Sequence, residues 1–186
     1  QMTEQQLARC VDELNEVMQT TPDLFVNINI SANHLADERC INTFIDYQQK
    51  IPGLVLEITE GKMLELSSEQ IQAAFNRLKA AGIRIAIDDF GTGYCGLNYL
   101  REIPVDILKA DKSFIAAMGT DAVNADVLQT ILILAQKLGL TTIAEGVETA
   151  EQAGQLEGMG VDWQQGWYHG YPVTAVALTN TYINGQ

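Results

Sequence analysis

The stretch Arg84–Tyr94, with the sequence RIAIDDFGTGY, constrains the fold more than any other part of the chain. It begins as a short apolar run rich in branched residues, which is typical of a strand buried on both faces. The run ends in two adjacent acids, Asp88 and Asp89, and a loop with Gly91 and Gly93 follows. Neighbouring side chains on a strand point to opposite faces, so the two acids can reach one site only where the strand ends and the backbone turns. We expect the two glycines to supply this turn.

Two acids at the end of a buried strand are unfavourable unless cations lie beside them. The alternative is that one acid caps the N-terminus of a helix while the other faces solvent. The local sequence leaves both interpretations open, and the rest of the chain has to decide between them.

Strand patterns and helix patterns alternate along the whole chain. Short apolar runs predict strands at residues 25–31, 54–60, 84–89, 105–111, 141–146 and 161–166. Helical spacing predicts helices at about residues 3–20, 41–52, 67–82, 96–101, 122–138 and 149–160, and one from about residue 174. Capping boxes at 3–6, 67–70 and 149–152 mark three of the helix starts. This order is typical of parallel strands with helices packed outside them, in a barrel or a doubly wound sheet.

Polar residues at the carboxyl ends of several strands favour the barrel, because that end is the active face of (β/α)₈ enzymes. A Rossmann fold would need a G-x-G-x-x-G fingerprint, which Gly91-Thr-Gly93 does not complete, and the phosphate-loop lysine motif is also absent. About six strands are predicted where a complete barrel has eight. We therefore expect an α/β fold, a TIM-like (β/α) barrel that is incomplete in this chain and forms one partial domain over residues 1–186; the resemblance described below implies that the missing strands are N-terminal. Another chain could supply the missing strands.

Composition narrows the function classes. With 47% apolar and 19% charged residues, the 186-residue chain can bury the core of one ordered domain. The formal net charge of −13 argues against binding to polymeric nucleic acid, although a small phosphate ligand remains possible if metal ions supply positive charge. The three cysteines form no CxxC pair, which argues against a disulfide framework or a zinc site and fits the reducing cytoplasm.

No apolar run is long enough to span a bilayer, so we expect no membrane contact from this domain itself. The chain begins with Gln1 rather than Met, which suggests a piece of a larger protein. That parent could be attached to the inner membrane.

The polar residues at the predicted strand ends form the candidate site. They fall one or two to a strand, in the order Asn29, Glu57, Asp88, Asp89, Lys109, Glu145 and Gln165. Carboxylate and amide oxygens without His or Cys suit hard divalent cations such as Mg²⁺ or Mn²⁺. Two such ions that share acids and a water are a usual device for phosphodiester hydrolysis. Lys109 adds a fixed positive charge that could hold a phosphate oxygen or orient a water.

Six segments resemble, in order, the successive motifs of bacterial EAL domains, which are cyclic di-GMP phosphodiesterases. The segments are Asn29-Ile-Ser31, Leu56-Glu-Ile-Thr-Glu60, Asp88-Asp-Phe-Gly-Thr-Gly-Tyr94, Leu108-Lys-Ala-Asp111, Ala144-Glu-Gly-Val-Glu-Thr149 and Gln165-Gly-Trp-Tyr168 followed by Pro172. Each motif alone is short, but the resemblance covers nearly the whole chain.

The resemblance implies a two-metal hydrolase that opens cyclic di-GMP to the linear dinucleotide pGpG with two Mg²⁺ or Mn²⁺ ions. The implied metal ligands are Asn29, Glu57, Asp88, Asp89 and Glu145. Lys109 would orient the attacking water and would form the catalytic set with Asp89 and Glu145. Asp111, Gln165 and Glu148 would support the site, and Glu60 would brace the loop at residues 90–100. That loop resembles the family's dimerisation and regulation element, which implies a homodimer.

The chain departs from the EAL pattern near its start, because no Glu-Ala-Leu segment lies upstream of Asn29. The family has strands there with a metal-binding Glu and a substrate-binding Arg. Two alternatives to the hydrolase therefore stay open. One is a catalytically inactive EAL-like module that binds cyclic di-GMP or a protein partner, and the other is a different Mg²⁺-dependent barrel enzyme for small phosphates. Trp167, near the predicted rim, could stack on a guanine base, although a core or rim position is commoner for such a residue.

Overall fold

The computed structural model of the protein describes residues 2–21, 24–61, 69–92, 100 and 103–180. The strands in this part of the chain are β1 Val26–Asn29, β2 Leu54–Thr59, β3 Arg84–Phe90, β4 Ile107–Ala110, β5 Thr141–Glu145 and β6 Trp163–Gln165. The helices are α1 Met2–Thr20, α2 Ala32–Ala36, α3 Glu38–Gln48, α4 Glu69–Ala80, α5 Lys112–Ala116, α6 Ala122–Leu138, α7 Ala150–Gly158 and α8 Ala175–Leu178. Strands and helices alternate as predicted.

The six strands form one sheet in the order β1 to β6, and every neighbouring pair is parallel. The sheet is strongly curled. Phe25, just before β1, contacts Trp163 of β6 edge to face, with the ring centroids 5.5 Å apart. The guanidinium carbon of Arg84 lies 3.8 Å from the centroid of the same Phe25 ring. The two sheet edges thus approach each other at the amino ends of their strands, and the predicted α/β barrel-like architecture is confirmed as a half-barrel of six described strands.

Apolar side chains pack on both faces of the sheet. The outer core lies between the sheet and the helices and includes Phe44, Leu56, Phe75, Leu108 and Leu132. The inner core is a thin layer made of Val55, Ala86, Ile107 and Ile143. Two residues further along the same four strands come Glu57, Asp88, Lys109 and Glu145. Alternate residues of a strand share a face. The inner face of the sheet is therefore apolar toward the amino ends of the strands and polar toward their carboxyl ends.

The helix pattern differs from the prediction in two places. The segment before β2 holds two helices, because the side chain of Asp37 accepts a hydrogen bond from Arg39 N and starts α3 directly after α2. Helix α5 follows β4 without having been predicted, and Asp111 caps it by accepting from Ser113 N at 2.9 Å. Both starts depend on a single aspartate cap, which is a weak signal in a sequence rich in acids.

Several predicted signals can be placed at the helix ends. The capping box of Thr149 and Gln152 is present, and Gly82 and Gly139 end their helices with φ angles of 83° and 70°. The predicted helix at 96–101 lies almost entirely outside the described residues. The first two residues of the capping box at 67–70 also lie outside them, as do the capping side chains of the box at 3–6. No helix in the described ranges is both long and apolar enough to cross a membrane.

Gly53 supplies a test of the sheet packing, because an added Cβ would overlap the backbone carbonyl of Leu24. Its own carbonyl accepts a hydrogen bond from Val26 N at 3.0 Å and so joins the starts of β1 and β2. We expect Gly53→Ala to lower the free energy of unfolding by about 1–3 kcal/mol, because the added methyl group would force the backbone at Leu24 to move.

The matched control is Gly154→Ala in the middle of α7, where nothing lies within 4 Å of the added Cβ. Alanine favours a helix, so this variant should be as stable as the parent or more stable by up to about 1 kcal/mol. Urea unfolding followed by circular dichroism measures both variants. Equal midpoints for Gly53→Ala and the parent would contradict the packing described here.

Candidate active site

A buried lysine lies at the centre of the polar residues on the inner face of the half-barrel. The Nζ of Lys109 on β4 lies 2.9 Å from Glu57 Oε1 on β2, 2.9 Å from Asp88 Oδ1 on β3 and 2.6 Å from Glu145 Oε1 on β5. Lys109 and Glu57 are each only 4% exposed. Four adjacent parallel strands therefore each contribute one charged side chain, as expected where the carboxyl ends of strands meet at one rim.

The charges in this cluster do not balance. Three carboxylates surround one ammonium group, which leaves two formal negative charges without a partner in the cluster (3 − 1 = 2). Burial alone would lower the pKa of Lys109, but its ion pairs with Glu145, Glu57 and Asp88 outweigh burial and raise that pKa above its ordinary value. Burial raises the pKa of Glu145 despite the opposing bond from Lys109. The cluster can accept further positive charge.

One carboxylate oxygen of the cluster lacks a hydrogen bond of good geometry. Asp88 Oδ1 is buried and makes the ion pair with Lys109 but no regular hydrogen bond. A buried, under-satisfied carboxylate oxygen is unfavourable unless another cation or donor is supplied. Its neighbour Glu57 is better satisfied, because Asn27 Nδ2 donates a hydrogen bond to Glu57 Oε1 at 2.8 Å.

Asp88, Asp89 and Glu145 form a group that could hold a metal ion. One carboxylate oxygen from each lies within 4.8 Å of the others. Oxygen ligands of this kind suit hard divalent cations. Both adjacent acids lie in this group, which contradicts the alternative in which one caps a helix and the other faces solvent.

The turn that lets the two adjacent acids converge differs from the prediction. Asp89 itself adopts a left-handed conformation with φ 56°, and the pairing of β3 with β4 shifts register between Ile87 and Phe90. Gly91 follows with φ 97°, while Gly93 lies outside the described residues. Gly91 therefore contributes to the turn as predicted, and Asp89 contributes to it without having been predicted to. Aspartate is among the few non-glycine residues that tolerate this region, and such strain often marks functional sites.

Asp111 lies beside Asp89 and is itself held by the start of α5. Burial raises the pKa of Asp89, and repulsion by Asp88 and Asp111 raises it further. Burial also opposes ionisation of Asp111, but its hydrogen bonds with Ser113 outweigh this and lower the pKa of Asp111. Asp111 therefore lies close enough to Asp89 to disfavour the ionised form of Asp89.

Glu60 contacts the start of the loop that follows β3. Its Oε2 accepts a hydrogen bond from Gly91 N at 2.7 Å, and the residue is only 3% exposed. This contact agrees with the expected bracing of the loop at residues 90–100, most of which lies outside the described residues.

The remaining candidates lie along the same rim. Glu148 and Gln165 line a cavity of about 550 Å³ together with Glu145. Gln165 pairs with Glu145 in the sheet register, and its carbonyl accepts from Val147 N at 3.0 Å. Asn29 ends β1 beside Glu57, is exposed, and makes no described contact with the carboxylates.

Two further residues at the site were missed by the reasoning from sequence. Asn27 is exposed, and its side chain donates a hydrogen bond to Glu57. Lys112, the first residue of α5, lines the cavity with Glu145. Alternation along β1 places Asn27 on the inner face with Asn29 and could have identified it. Nothing local in the sequence indicates the position of Lys112. The metal and catalytic roles of all these residues stay predictions.

Comparison with known proteins extends this description. The EAL domain family model matches residues 1–172. The chain is 34% identical over 188 residues to the probable cyclic di-GMP phosphodiesterase PdeG of Escherichia coli K12, covering 98% of this chain and 37% of PdeG. It is 39% identical over 177 residues to the cyclic di-GMP phosphodiesterase PdeL of the same strain, covering 92% of this chain and 49% of PdeL. The chain thus spans less than half the length of these two relatives.

A solved structure agrees in fold with the half-barrel. The PaMucR phosphodiesterase in complex with cyclic di-GMP superposes with a TM-score of 0.85 and 30% sequence identity, covering 95% of this chain and 73% of that one. The family match spans nearly all of the sequence, and the strand-end motifs lie together on one rim. The chain belongs to the EAL domain family.

Proposed function

We propose that this domain hydrolyses cyclic di-GMP to linear pGpG as part of bacterial second-messenger signalling. The observation that carries the proposal is the buried Lys109, held by carboxylates from three neighbouring strands next to the acids that could bind metal. Such an arrangement is unfavourable as a purely structural device and suits the chemistry of a phosphodiester. The names of PdeG, PdeL and the PaMucR complex point to the same substrate.

We infer that the acids hold Mg²⁺ or Mn²⁺, with two ions in a complete site. The fit is supported by the all-oxygen ligand set, the two uncompensated negative charges and the under-satisfied Asp88 Oδ1. Asp88, Asp89 and Glu145 would be the ligands in closest mutual reach, and Asn29 and Glu57 would complete the set. When bound, such ions lower the pKa of a coordinated water and offset the charge on the phosphate.

The other side chains would position the reacting groups. Lys109 is fixed by contacts with three carboxylates, so it would act as a positive charge at a fixed position toward a water or a phosphate oxygen beside the cluster. Asp111 would orient Asp89, while Gln165 and Glu148 would support the cavity side of the site. Glu60 would brace the loop through Gly91.

The second candidate is a catalytically inactive module that binds cyclic di-GMP or a protein partner as a regulator. A different Mg²⁺-dependent enzyme for small phosphates is a third possibility. Thermal shift with cyclic di-GMP separates the third from the hydrolase and from a module that binds this nucleotide, because only a protein that binds cyclic di-GMP is stabilised by it.

The proposal predicts that Glu145→Gln abolishes metal-dependent turnover, because it removes a carboxylate that belongs to both the Lys109 cluster and the possible metal group. Cyclic di-GMP is incubated with the protein and Mn²⁺, and the products are separated by chromatography. The parent should form pGpG, and a chelator should stop the reaction.

The matched control is Glu157→Gln, the same substitution at an exposed position on α7, which should retain parental activity. Undiminished turnover by Glu145→Gln would reject its role as a ligand. Binding of cyclic di-GMP by the parent without product would favour the regulatory module instead.

Lys109→Ala should reduce turnover by at least about 100-fold, because a preorganised charge at the reacting centre is lost. Without metal, the variant should also be less stable by about 3–5 kcal/mol, since three partly or fully buried carboxylates lose their only shared cation. Added Mn²⁺ should therefore raise the melting temperature of Lys109→Ala more than that of the parent.

Thermal shift with Mn²⁺ and with a chelator measures this difference, and Lys137→Ala at an exposed position on α6 is the control. A variant that differs from the parent only in its KM would show that Lys109 binds substrate and does not position the attacking water.

We further propose that the domain forms a homodimer through the loop at residues 90–100. We also propose that it acts in the cytoplasm, as part of a longer protein that could be held at the inner membrane. Support for the dimer comes from α6. An added Cβ on Gly91 would lie 2.7 Å from Ile131 Cδ1, so the start of the loop packs on this helix. On the same side of α6, Val123 is 71% exposed and Val127 is 37% exposed.

Val127→Asp should shift the protein from dimer to monomer, because it places a charge in the proposed interface. Ile133→Asp is the matched control, since Ile133 is similarly exposed but lies about 120° around α6 from Val127. Size-exclusion chromatography with light scattering measures the mass of each. A dimeric Val127→Asp, or a parent that is monomeric at every concentration, would contradict the proposal.

A further inference from the structure

Asn27 is a polar residue at a position where the inner face of the sheet is otherwise apolar. In the register of β1 with β2, it lies opposite Val55, which belongs to the inner apolar layer. Its neighbours Val26 and Ile28 belong to the outer core, so the side chain of Asn27 lies on the inner face. Asparagine is uncommon in strands, and packing against Val55 would favour an apolar side chain. The amide of Asn27 therefore needs another explanation.

This amide contacts the carboxylate of Glu57, which lies two residues beyond Val55 on β2. Asn27 Nδ2 donates a hydrogen bond to Glu57 Oε1 at 2.8 Å. Glu57 is only 4% exposed, so little water can reach its carboxylate. A buried carboxylate without a hydrogen-bond donor is unfavourable, and the amide of Asn27 takes the place of water here.

The same oxygen of Glu57 is held from two directions. The closest approach of Lys109 Nζ to Glu57 is also to Oε1, at 2.9 Å. Asn27 lies on β1, on one side of β2, and Lys109 lies on β4, on the other side. A carboxylate whose first oxygen is held in this way can rotate little, which leaves Oε2 as the oxygen for a further partner.

Asn29, the other amide on this face of β1, does not share the role of Asn27. It lies directly opposite Glu57 in the register, yet among the described residues it makes no contact with a carboxylate. Asn29 is therefore available as the proposed metal ligand, whereas the amide of Asn27 is already bound to Glu57. Two similar residues on one strand thus have different tasks.

We propose that Asn27 is a positioning residue of the metal site, which holds Oε1 of Glu57 and thereby directs Oε2 to the cation. The inference rests on the proposed function, because Glu57 is a metal ligand only there. Removing a side chain that holds a ligand by a hydrogen bond typically weakens metal binding by about 10–100-fold. Asn27 itself would not contact the metal.

Binding of Mn²⁺ can be measured without turnover, because free Mn²⁺ gives an electron paramagnetic resonance signal that is lost on binding. Titration of the metal-free protein gives the dissociation constant and the number of ions bound per chain. Asn27→Ala removes the hydrogen bond at an exposed position of an edge strand, and circular dichroism checks that the variant folds. Asn27→Val, which suits a strand and also lacks a donor, gives the same test if Asn27→Ala does not fold.

The matched control is Asn124→Ala at the start of α6. Asn124 Nδ2 also donates a hydrogen bond to a carboxylate oxygen, Asp121 Oδ2, at 2.8 Å, but this pair lies outside the Lys109 cluster. The control therefore removes the same kind of hydrogen bond without touching a proposed ligand, and it should bind Mn²⁺ as the parent does.

We expect Asn27→Ala to weaken Mn²⁺ binding about tenfold or more and to keep the number of bound ions unchanged. Asn27→Gln keeps an amide donor and should bind Mn²⁺ more tightly than Asn27→Ala. In activity assays of Asn27→Ala, the Mn²⁺ concentration for half-maximal rate should rise by the same factor as the dissociation constant. Its kcat at saturating Mn²⁺ should stay within about twofold of the parental value.

A double-mutant cycle shows whether Asn27 acts through Glu57. Glu57→Gln removes the proposed ligand, so Asn27→Ala added to it should change the Mn²⁺ affinity by less than about twofold. Additive effects of the two substitutions would overturn the inference, because Asn27 would then act independently of Glu57. Loss of one bound ion in Asn27→Ala but not in Glu57→Gln would also overturn it, because Asn27 would then be the ligand.

The experiment separates this inference from the proposed function. A parent that binds Mn²⁺ and hydrolyses cyclic di-GMP, with parental Mn²⁺ affinity in Asn27→Ala, would overturn the positioning role and leave the proposed function standing. A parent that binds no Mn²⁺ would remove the metal chemistry of the proposed function and this inference with it.

Discussion

The structure depends on the ion pairs between Lys109 and the carboxylates of Glu57, Asp88 and Glu145. Charges removed from water at this depth are unfavourable unless each has a partner, and breaking one such pair leaves the other charge exposed to the apolar interior. The four strands that carry these residues must therefore keep their register. The same register places the inner apolar layer directly below the charges, so packing and electrostatics fix the same arrangement. The excess of negative charge explains why the rim suits metal ions.

The strain in the structure lies beside this cluster. A regular strand would send Asp88 and Asp89 to opposite faces, but the left-handed backbone of Asp89 and the register shift after Ile87 bring them together. Strain of this kind persists where the surroundings hold it. The hydrogen bond from Gly91 N to Glu60 and the close approach of Asp111 to Asp89 supply those surroundings. Glu60 and Asp111 thus help to stabilise the left-handed backbone conformation of Asp89.

The rim of the half-barrel carries two kinds of side chain. The acids and Lys109 offer chemistry that would serve many phosphodiesters, because they would contact only oxygen atoms and charge. Trp167 and Tyr171, after β6, form a stacked aromatic pair that lines the cavity beside Glu145. Such a division between strand ends and the segments that follow them is common in α/β barrels, whose loops vary around a constant sheet.

The sequence alone determined the alternation of strands and helices, the six strands, their barrel-like arrangement and the polar residues at the strand ends. These features follow from periodicity and from caps, which involve residues a few positions apart. The tertiary structure decided that Asp89 makes the turn, that Asn27 holds Glu57 and that Lys112 reaches the cavity. It also decided that Phe25 meets Trp163 across the curled sheet. In these last three cases the partners lie 30 residues or more apart, and in the first the backbone of one residue depends on how neighbouring strands pack. Local patterns carry no record of such contacts, because they form only once the sheet has curled.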